Sequence, residues 1–227
     1  MRTLLERVLP GLSAGQYGQF CTYYTLLLEW NARMNLTALT EPEDVAYKHF
    51  ADSVLPQALI PQQARLIDVG TGAGFPGIPL KIIRPDIRLT LLDSLGKRVA
   101  FLEAVCAELG FTEVVCIHAR AEEAARTEAL RGRFDVATSR AVAPASALVE
   151  YTVPFLCVGG KSLMYKGPQA QAEFEAAQSA LKTLGAVGEV LSFEAPWGER
   201  NVLAVTKRKP TPAAYPRRPG ESRRNPL

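Results

Sequence analysis

From Arg65 onward the chain alternates short apolar runs with helical patterns, and nothing else in it constrains the fold as strongly. The strand-like runs are residues 65–70 (RLIDVG), 88–94, 113–119, 134–140, 161–167, 189–195 and 201–207. Between them, Val99, Leu102, Val105/Cys106 and Leu109 recur at helical spacing and stop at Gly110. Phe174, Ala177, Leu181 and Leu184 do the same before Gly185. Strands in regular alternation with helices predict a parallel sheet covered on both faces. The last two runs are joined only by the turn-forming PWGER (196–200), which predicts an antiparallel hairpin at one edge.

The first sixty residues read differently. Ser13 with Gln16 forms a capping-box start, and Tyr17, Phe20, Tyr24, Leu27/Leu28 and Met34 make a helical stripe. A second box, Thr40 with Glu43, predicts a helix reaching about Val54 and halted before Pro56. Residues 1–60 are therefore expected to form a small helical subdomain, and 61–209 the α/β domain. The last eighteen residues, 210–227, hold five prolines and are expected to lack regular structure.

Charge is distributed unevenly. The net charge of the 227 residues is +3, yet Lys207 to the end carries seven Lys/Arg against one acid. A mildly acidic body with a basic tail suggests a polyanionic partner, although a solvated tail has the same composition. Cys21, Cys106, Cys116 and Cys157 are scattered, form no metal-like cluster with the two histidines, and suit a reducing compartment. No signal-like or membrane-length apolar run occurs, so a cytoplasmic protein without a metal site is expected.

The chemistry concentrates in DVGTGAGFPGIP, Asp68–Pro79, which follows the first strand. Gly72, Gly74 and Gly77 give a literal G-x-G-x-x-G, a weak signal alone but a stronger one between a strand and a helix. Asp93 ends the second strand, 21 residues after Gly72, and suits a carboxylate accepting from both hydroxyls of a ribose. Nicotinamide dinucleotides and S-adenosylmethionine both carry that ribose. Asp68 separates them on charge: a carboxylate repels a pyrophosphate and attracts an ammonium or sulfonium. Pro76 and Pro79 remove N–H donors that a pyrophosphate would use. The loop is thus expected to take a cation-bearing cofactor.

This pattern resembles class I S-adenosylmethionine-dependent methyltransferases, whose Rossmann-like seven-stranded sheet also ends in an antiparallel hairpin. After the fourth strand stands SRAVAP, Ser139–Pro144, with neither a Pro-Cys nucleophile nor an Asp/Asn-Pro-Pro-aromatic run. Cys157, in VPFLCVGG, reads as core. An enzyme without nucleophile or evident base suits an acceptor that needs neither, such as the bare lone pair of guanine N7.

Taken together, DVGTGAGFPGIPL, LLDSLGKRVAFL, ARAEE, SRAVAP, YPRRPG and WNARMNLTALTEPEDVAYKHFADSV resemble the glucose-inhibited division protein B family over nearly the whole chain. Members are bacterial small-subunit ribosomal RNA (guanine-N7) methyltransferases. The resemblance implies cofactor contacts from Gly70 and Phe75, with Asp93, Ser94 and Leu95 at the ribose and Ala121 and Glu122 at the adenine. It matches Arg140 to an arginine contacting either the cofactor or the substrate. Lys97, Arg98, Lys166, Arg200, Arg217, Arg218, Arg223 and Arg224 are the expected RNA contacts, with Lys166 the foremost, and Arg140 and Lys166 the candidates for positioning the acceptor. Ribosomal RNA or the small subunit is the expected partner of a monomer. His49 and Asp52 share a helix face, as an acid/base pair or a structural one. Two other readings stand beside this one: a non-catalytic RNA-binding protein on a methyltransferase-like fold, and a nicotinamide oxidoreductase.

Overall fold

The computed structural model describes residues 1–227. Its strands are β1 (Arg65–Val69), β2 (Arg88–Asp93), β3 (Val114–His118), β4 (Phe134–Arg140), β5 (Leu156–Lys166), β6 (Ala186–Phe193) and β7 (Arg200–Lys207). They make one seven-stranded sheet in the order β3-β2-β1-β4-β5-β7-β6. β1 to β5 pair in parallel, whereas β7 lies antiparallel between β5 and β6. The expected α/β class and closing hairpin are both present, with the second arm of the hairpin on the inside. β1 and β4 are neighbours whose following helices leave to opposite sides, so the crevice between their carboxyl ends is where such a sheet takes a ligand.

Period-two alternation decides which face each residue joins. Leu66, Val136, Leu163 and Val202 enter one core, and their successors Ile67, Ala137, Met164 and Leu203 enter the other. The first core also takes Leu5, Phe20, Tyr23, Leu27 and Phe50 from the N-terminal helices. Residues 1–60 therefore share a core with the sheet and have none of their own. These helices are α1 (Arg2–Val8), α2 (Ala14–Met34) and α3, residues 42–54, whose central Val45–Ala51 is π-helical. The Ser13–Gln16 capping box forms as expected. The Thr40–Glu43 box does not: Glu41 occupies the cap, without a side-chain bond, because Pro42 takes the first helical position. Tyr17 and Tyr23, not Tyr24, are the buried tyrosines of α2.

Five further helices complete the layers: α4 (Gly77–Ile83), α5 (Gly96–Glu108), α6 (Ala121–Ala124), α7 (Ala145–Thr152) and α8 (Ala170–Ala176). The single helix expected from the Phe174–Leu184 stripe breaks at Ala177 into α8 and α9 (Gln178–Thr183). The proline-rich tail is ordered by tertiary contacts and ends in a single helical turn, α10 (Glu221–Arg224). Tyr215 and Leu227 pack on the second core. The Arg131 guanidinium donates to the carbonyls of Thr211, Pro212 and Tyr215.

Candidate active site

The loop after β1 is held from beneath by Asp68. Its Oδ2 accepts from the Thr71 hydroxyl at 2.6 Å and the Gly77 amide at 3.0 Å, and its Oδ1 from the Thr138 hydroxyl at 2.9 Å. The carboxyl is fully buried. Burial pushes its pKa up to about 6, against the pull of those hydrogen bonds and of Arg140. This corrects the expectation that Asp68 faces the cofactor. Its oxygens are spent on the loop and on Thr138 of β4, and it shapes the site without lining it.

Gly70 and Gly74 of the loop are required by positive φ and close approach together. A side chain on Gly70 (φ +70°) would meet Val142 Cγ2 at 2.8 Å. One on Gly74 (φ +96°) would meet Ile78 at 2.4 Å and the Tyr23 hydroxyl at 2.8 Å. That hydroxyl donates to the Ala73 carbonyl, so α2 fixes the loop from the side. Phe75 stacks on His49, with ring centroids 4.4 Å apart, and lies 5.0 Å beneath the Arg140 guanidinium.

A cavity of about 210 Å³ opens at the carboxyl ends of β1 and β2. Val69, Gly70, Asp93, Ser94, Ala121 and Glu122 line it. Asp93 Oδ2 accepts from the Gly72 amide and Oδ1 from the Leu95 amide, both at 2.9 Å, leaving further lone pairs on each oxygen. A mixed polar and apolar lining in which Asp93 keeps spare acceptor capacity suits an adenosyl group. Gly72, Gly74, Phe75 and Leu95, expected at the cofactor, are not among the residues that line it, and the Leu95 side chain is exposed.

A second cavity, about 720 Å³, lies at the ends of β4, β5 and β7. Asp52, Arg140, Tyr165, Lys166, Glu173 and Arg200 line it, and Val142 lines both cavities. Asp52 bridges two arginines, with Oδ2 accepting from Arg140 at 3.1 Å and Oδ1 from Arg200 at 2.8 Å. Arg140 also donates to the Lys48 carbonyl at 3.3 Å and to His49 Nδ1 at 3.1 Å. His49 is thereby an acceptor, and burial followed by the Arg140 charge lowers its pKa to about 3. His49 and Asp52 form a structural pair around Arg140.

Several expected RNA contacts are spent inside the fold. Lys166 Nζ donates to Glu173 at 2.6 Å and to the Ala143 carbonyl at 2.9 Å, with only 7% of its side chain exposed. Arg200 is held by Asp52. Arg217 makes a bidentate pair with the fully buried Glu150. Arg223 donates to the Val142 carbonyl and lines the smaller cavity. Lys166, Arg200 and Arg217, expected as phosphate contacts, each meet a carboxylate instead, fully buried in the case of Glu150; Arg223 stays exposed on its carbonyl. Lys97, Arg218 and Arg224 are exposed and lack acidic partners, and Arg98 reaches Asp93 only at 3.6 Å. No cluster of three or more Cys, His, Asp or Glu could hold a metal ion, and no helix is long and apolar enough to cross a membrane.

Sequence reasoning missed Thr71, Thr138, Tyr23 and Val142. The two threonines carry no recognisable signal, since their role exists only against Asp68. Tyr23 lies at i+3 from Phe20 and four before Leu27, so the helical stripe was compatible with it.

The fold, with a ribose-suited acid ending β2, defines a class I S-adenosylmethionine-dependent methyltransferase. Similar solved folds include an O-methyltransferase from Bacillus cereus in complex with SAH (TM-score 0.60, 16% identity, 90% of this chain and 96% of that one). A Thermus thermophilus 16S rRNA N2 G1207 methyltransferase with AdoMet and guanosine is a further one (TM-score 0.50, 20% identity, 70% and 39%). The family model for rRNA small subunit methyltransferase G (GidB) matches residues 16–202. Proteins named ribosomal RNA small subunit methyltransferase G are 45% identical in Alkaliphilus oremlandii (100% of this chain, 99% of the relative) and 46% in Desulfitobacterium hafniense (100% and 95%). The chain belongs to the rRNA small subunit methyltransferase G family.

Proposed function

We propose that this protein transfers a methyl group from S-adenosylmethionine to N7 of a guanosine in small-subunit (16S) ribosomal RNA. The observation that carries this reading is the pair of adjoining cavities. One is built around Asp93 for an adenosyl group; the other is larger and rimmed by Arg140, Lys166 and Arg200; Val142 stands between them. S-adenosylmethionine, bound in the first, supplies an electrophilic methyl group on a sulfonium centre. Guanine N7 presents a lone pair with no proton to remove. The residues present suit that need. His49 is held neutral and committed to Arg140, and Cys157 is turned to Asp135, away from both cavities. What remains for the protein is to orient the acceptor and exclude water.

The contacts with RNA are assigned to the larger cavity and to the exposed Lys97, Arg98, Arg218 and Arg224. Arg140 belongs with the acceptor side, since it lines that cavity. We read the protein as a cytoplasmic monomer. Its exposed large hydrophobics include Val115 on β3 and Val187 on β6, opposite edges of the sheet, which do not make one patch. The test is transfer of a tritiated methyl group from S-adenosylmethionine to small ribosomal subunits and to their naked RNA, with the labelled base mapped. Label at guanine N7 supports the reading; no transfer, or label on another atom, rejects it.

A further inference from the structure

We propose that Glu173 reads the acceptor base, its free carboxylate oxygen accepting hydrogen bonds from the N1–H and the 2-amino group of guanine. The inference rests on a guanosine being methylated at N7, and it names the residue that selects that base. Two acids line the larger cavity, Asp52 and Glu173. Asp52 is spent: one oxygen accepts from Arg140 and the other from Arg200. Glu173 is only half spent. Its Oε2 accepts from Lys166 Nζ at 2.6 Å and from the Ala145 amide at 2.8 Å, whereas Oε1 has no partner in the protein. The side chain is 30% exposed, in a cavity of about 720 Å³.

The two anchors give this carboxylate a fixed direction. Lys166 ends β5, and its Nζ also donates to the Ala143 carbonyl; Ala145 opens α7. Ala145 follows Val142 by three residues, so its backbone lies within about 11 Å of the residue that separates the two cavities. That is the scale of a purine with a contact at each edge, N7 toward the methyl donor and the Watson–Crick edge toward Glu173. An ionised carboxylate only accepts, and guanine is the base whose Watson–Crick edge sets two donors side by side. Adenine offers a bare N1 in the same place, which a carboxylate repels. The other polar side chains of the cavity discriminate less. Asn201 is bonded to Gly167, Glu199 and Ser192, and Gln169 is exposed and carries both a donor and an acceptor. Lys166 is then a positioning residue, holding Oε2 so that Oε1 is left to the base.

Methyl transfer at subsaturating substrate tests this, with small subunits reconstituted to carry guanosine or inosine at the methylated position. Inosine is guanosine without the 2-amino group and keeps N7. Wild type is expected to methylate inosine about tenfold more slowly, the effect of one lost hydrogen bond to a charged acceptor. Glu173→Gln keeps the size of the side chain and one acceptor for Lys166 and Ala145, but turns a donor toward the base. It is expected to slow transfer to guanosine about tenfold or more and to bring the two substrates within about twofold of each other. A wild-type protein indifferent to inosine overturns the proposal without any variant. A Glu173→Gln protein that keeps the wild-type ratio of guanosine to inosine, whatever its absolute rate, makes Glu173 a brace for Lys166 and α7 only, and also overturns it. Absence of wild-type label at guanosine N7 would instead reject the proposed function, and this inference with it.

Discussion

Replacing Asp93 by Asn alters one atom at the centre of the donor cavity, and the structure allows the consequence to be worked out. Both carboxylate oxygens already accept a backbone N–H, from Gly72 and from Leu95, at 2.9 Å. The carboxamide can satisfy only one of them, so the other N–H faces a donor in a position where Asp93 is 2% exposed. An unsatisfied buried donor costs about 1–3 kcal/mol. The ribose hydroxyls lose more, because one acceptor disappears and the other loses its charge; about 2–4 kcal/mol is expected. That corresponds to a cofactor Kd raised roughly 30- to 1,000-fold. The Arg98 contact at 3.6 Å, with Arg98 37% exposed, adds little. Calorimetry with S-adenosylhomocysteine reads the affinity, urea unfolding reads the stability cost, and hydrogen exchange at Gly72–Gly74 reads the loosened loop. A variant that folds, yet binds within threefold of wild type, would refute the ribose assignment.

Three further expectations follow from the same contacts. Glu150→Ala leaves the Arg217 guanidinium without its buried partner and should cost about 3–5 kcal/mol, seen as a melting temperature lower by roughly 6–20 °C; an unchanged melting curve would mean the tail does not dock. Asp68, raised from 3.8 to about 6 in the fold, favours the protonated native state, so its contribution is fully present below about pH 4 and is lost as pH rises through 6. The stability of wild type minus that of Asp68→Asn should therefore fall by about 3 kcal/mol between pH 4 and 7 and then level off, and a pH-independent difference in urea titrations would contradict the burial argument. For RNA binding, Lys97→Met with Arg98→Met should reduce the salt slope by about 2, whereas Lys166→Met should leave it unchanged because its charge is already paired with Glu173; the reverse pattern would return Lys166 to the phosphate rim.

The alternation of runs after Arg65 was enough to read the sheet, because buried parallel strands and their helices impose periods that short segments display by themselves. The Ser13–Gln16 box was equally legible, being a contact three residues long. What failed was whatever depends on a distant partner. The Thr40–Glu43 pair has the right letters, but the neighbouring Pro42 shifts the helix start past it. Residues 1–60 looked separable because their period changes at the boundary, yet Phe20, Tyr23 and Phe50 complete the core beneath β1 and β4. Periodicity reports an apolar face and carries no information about what covers it.

The cations teach the same lesson with more consequence for function. A lysine or arginine in a sequence counts as a charge offered to solvent, and the tail was read on that count. In the fold, Arg217, Arg200 and Lys166 each face an acid, and Lys207 is buried against the carbonyls of Val153 and Leu156, its pKa lowered by burial to about 8. A charge already compensated at short range contributes little to a field felt several ångströms away, so these residues add rigidity to the cavity walls more than attraction for a phosphate. The attraction is left to cations without a close acid. Lys97, Arg218 and Arg224 are exposed with no acidic partner, and the half-buried Arg98 meets Asp93 only at 3.6 Å. One eighteen-residue segment thus contributes Gly220 and Arg223 to the lining of the smaller cavity and leaves Arg218 and Arg224 exposed to solvent.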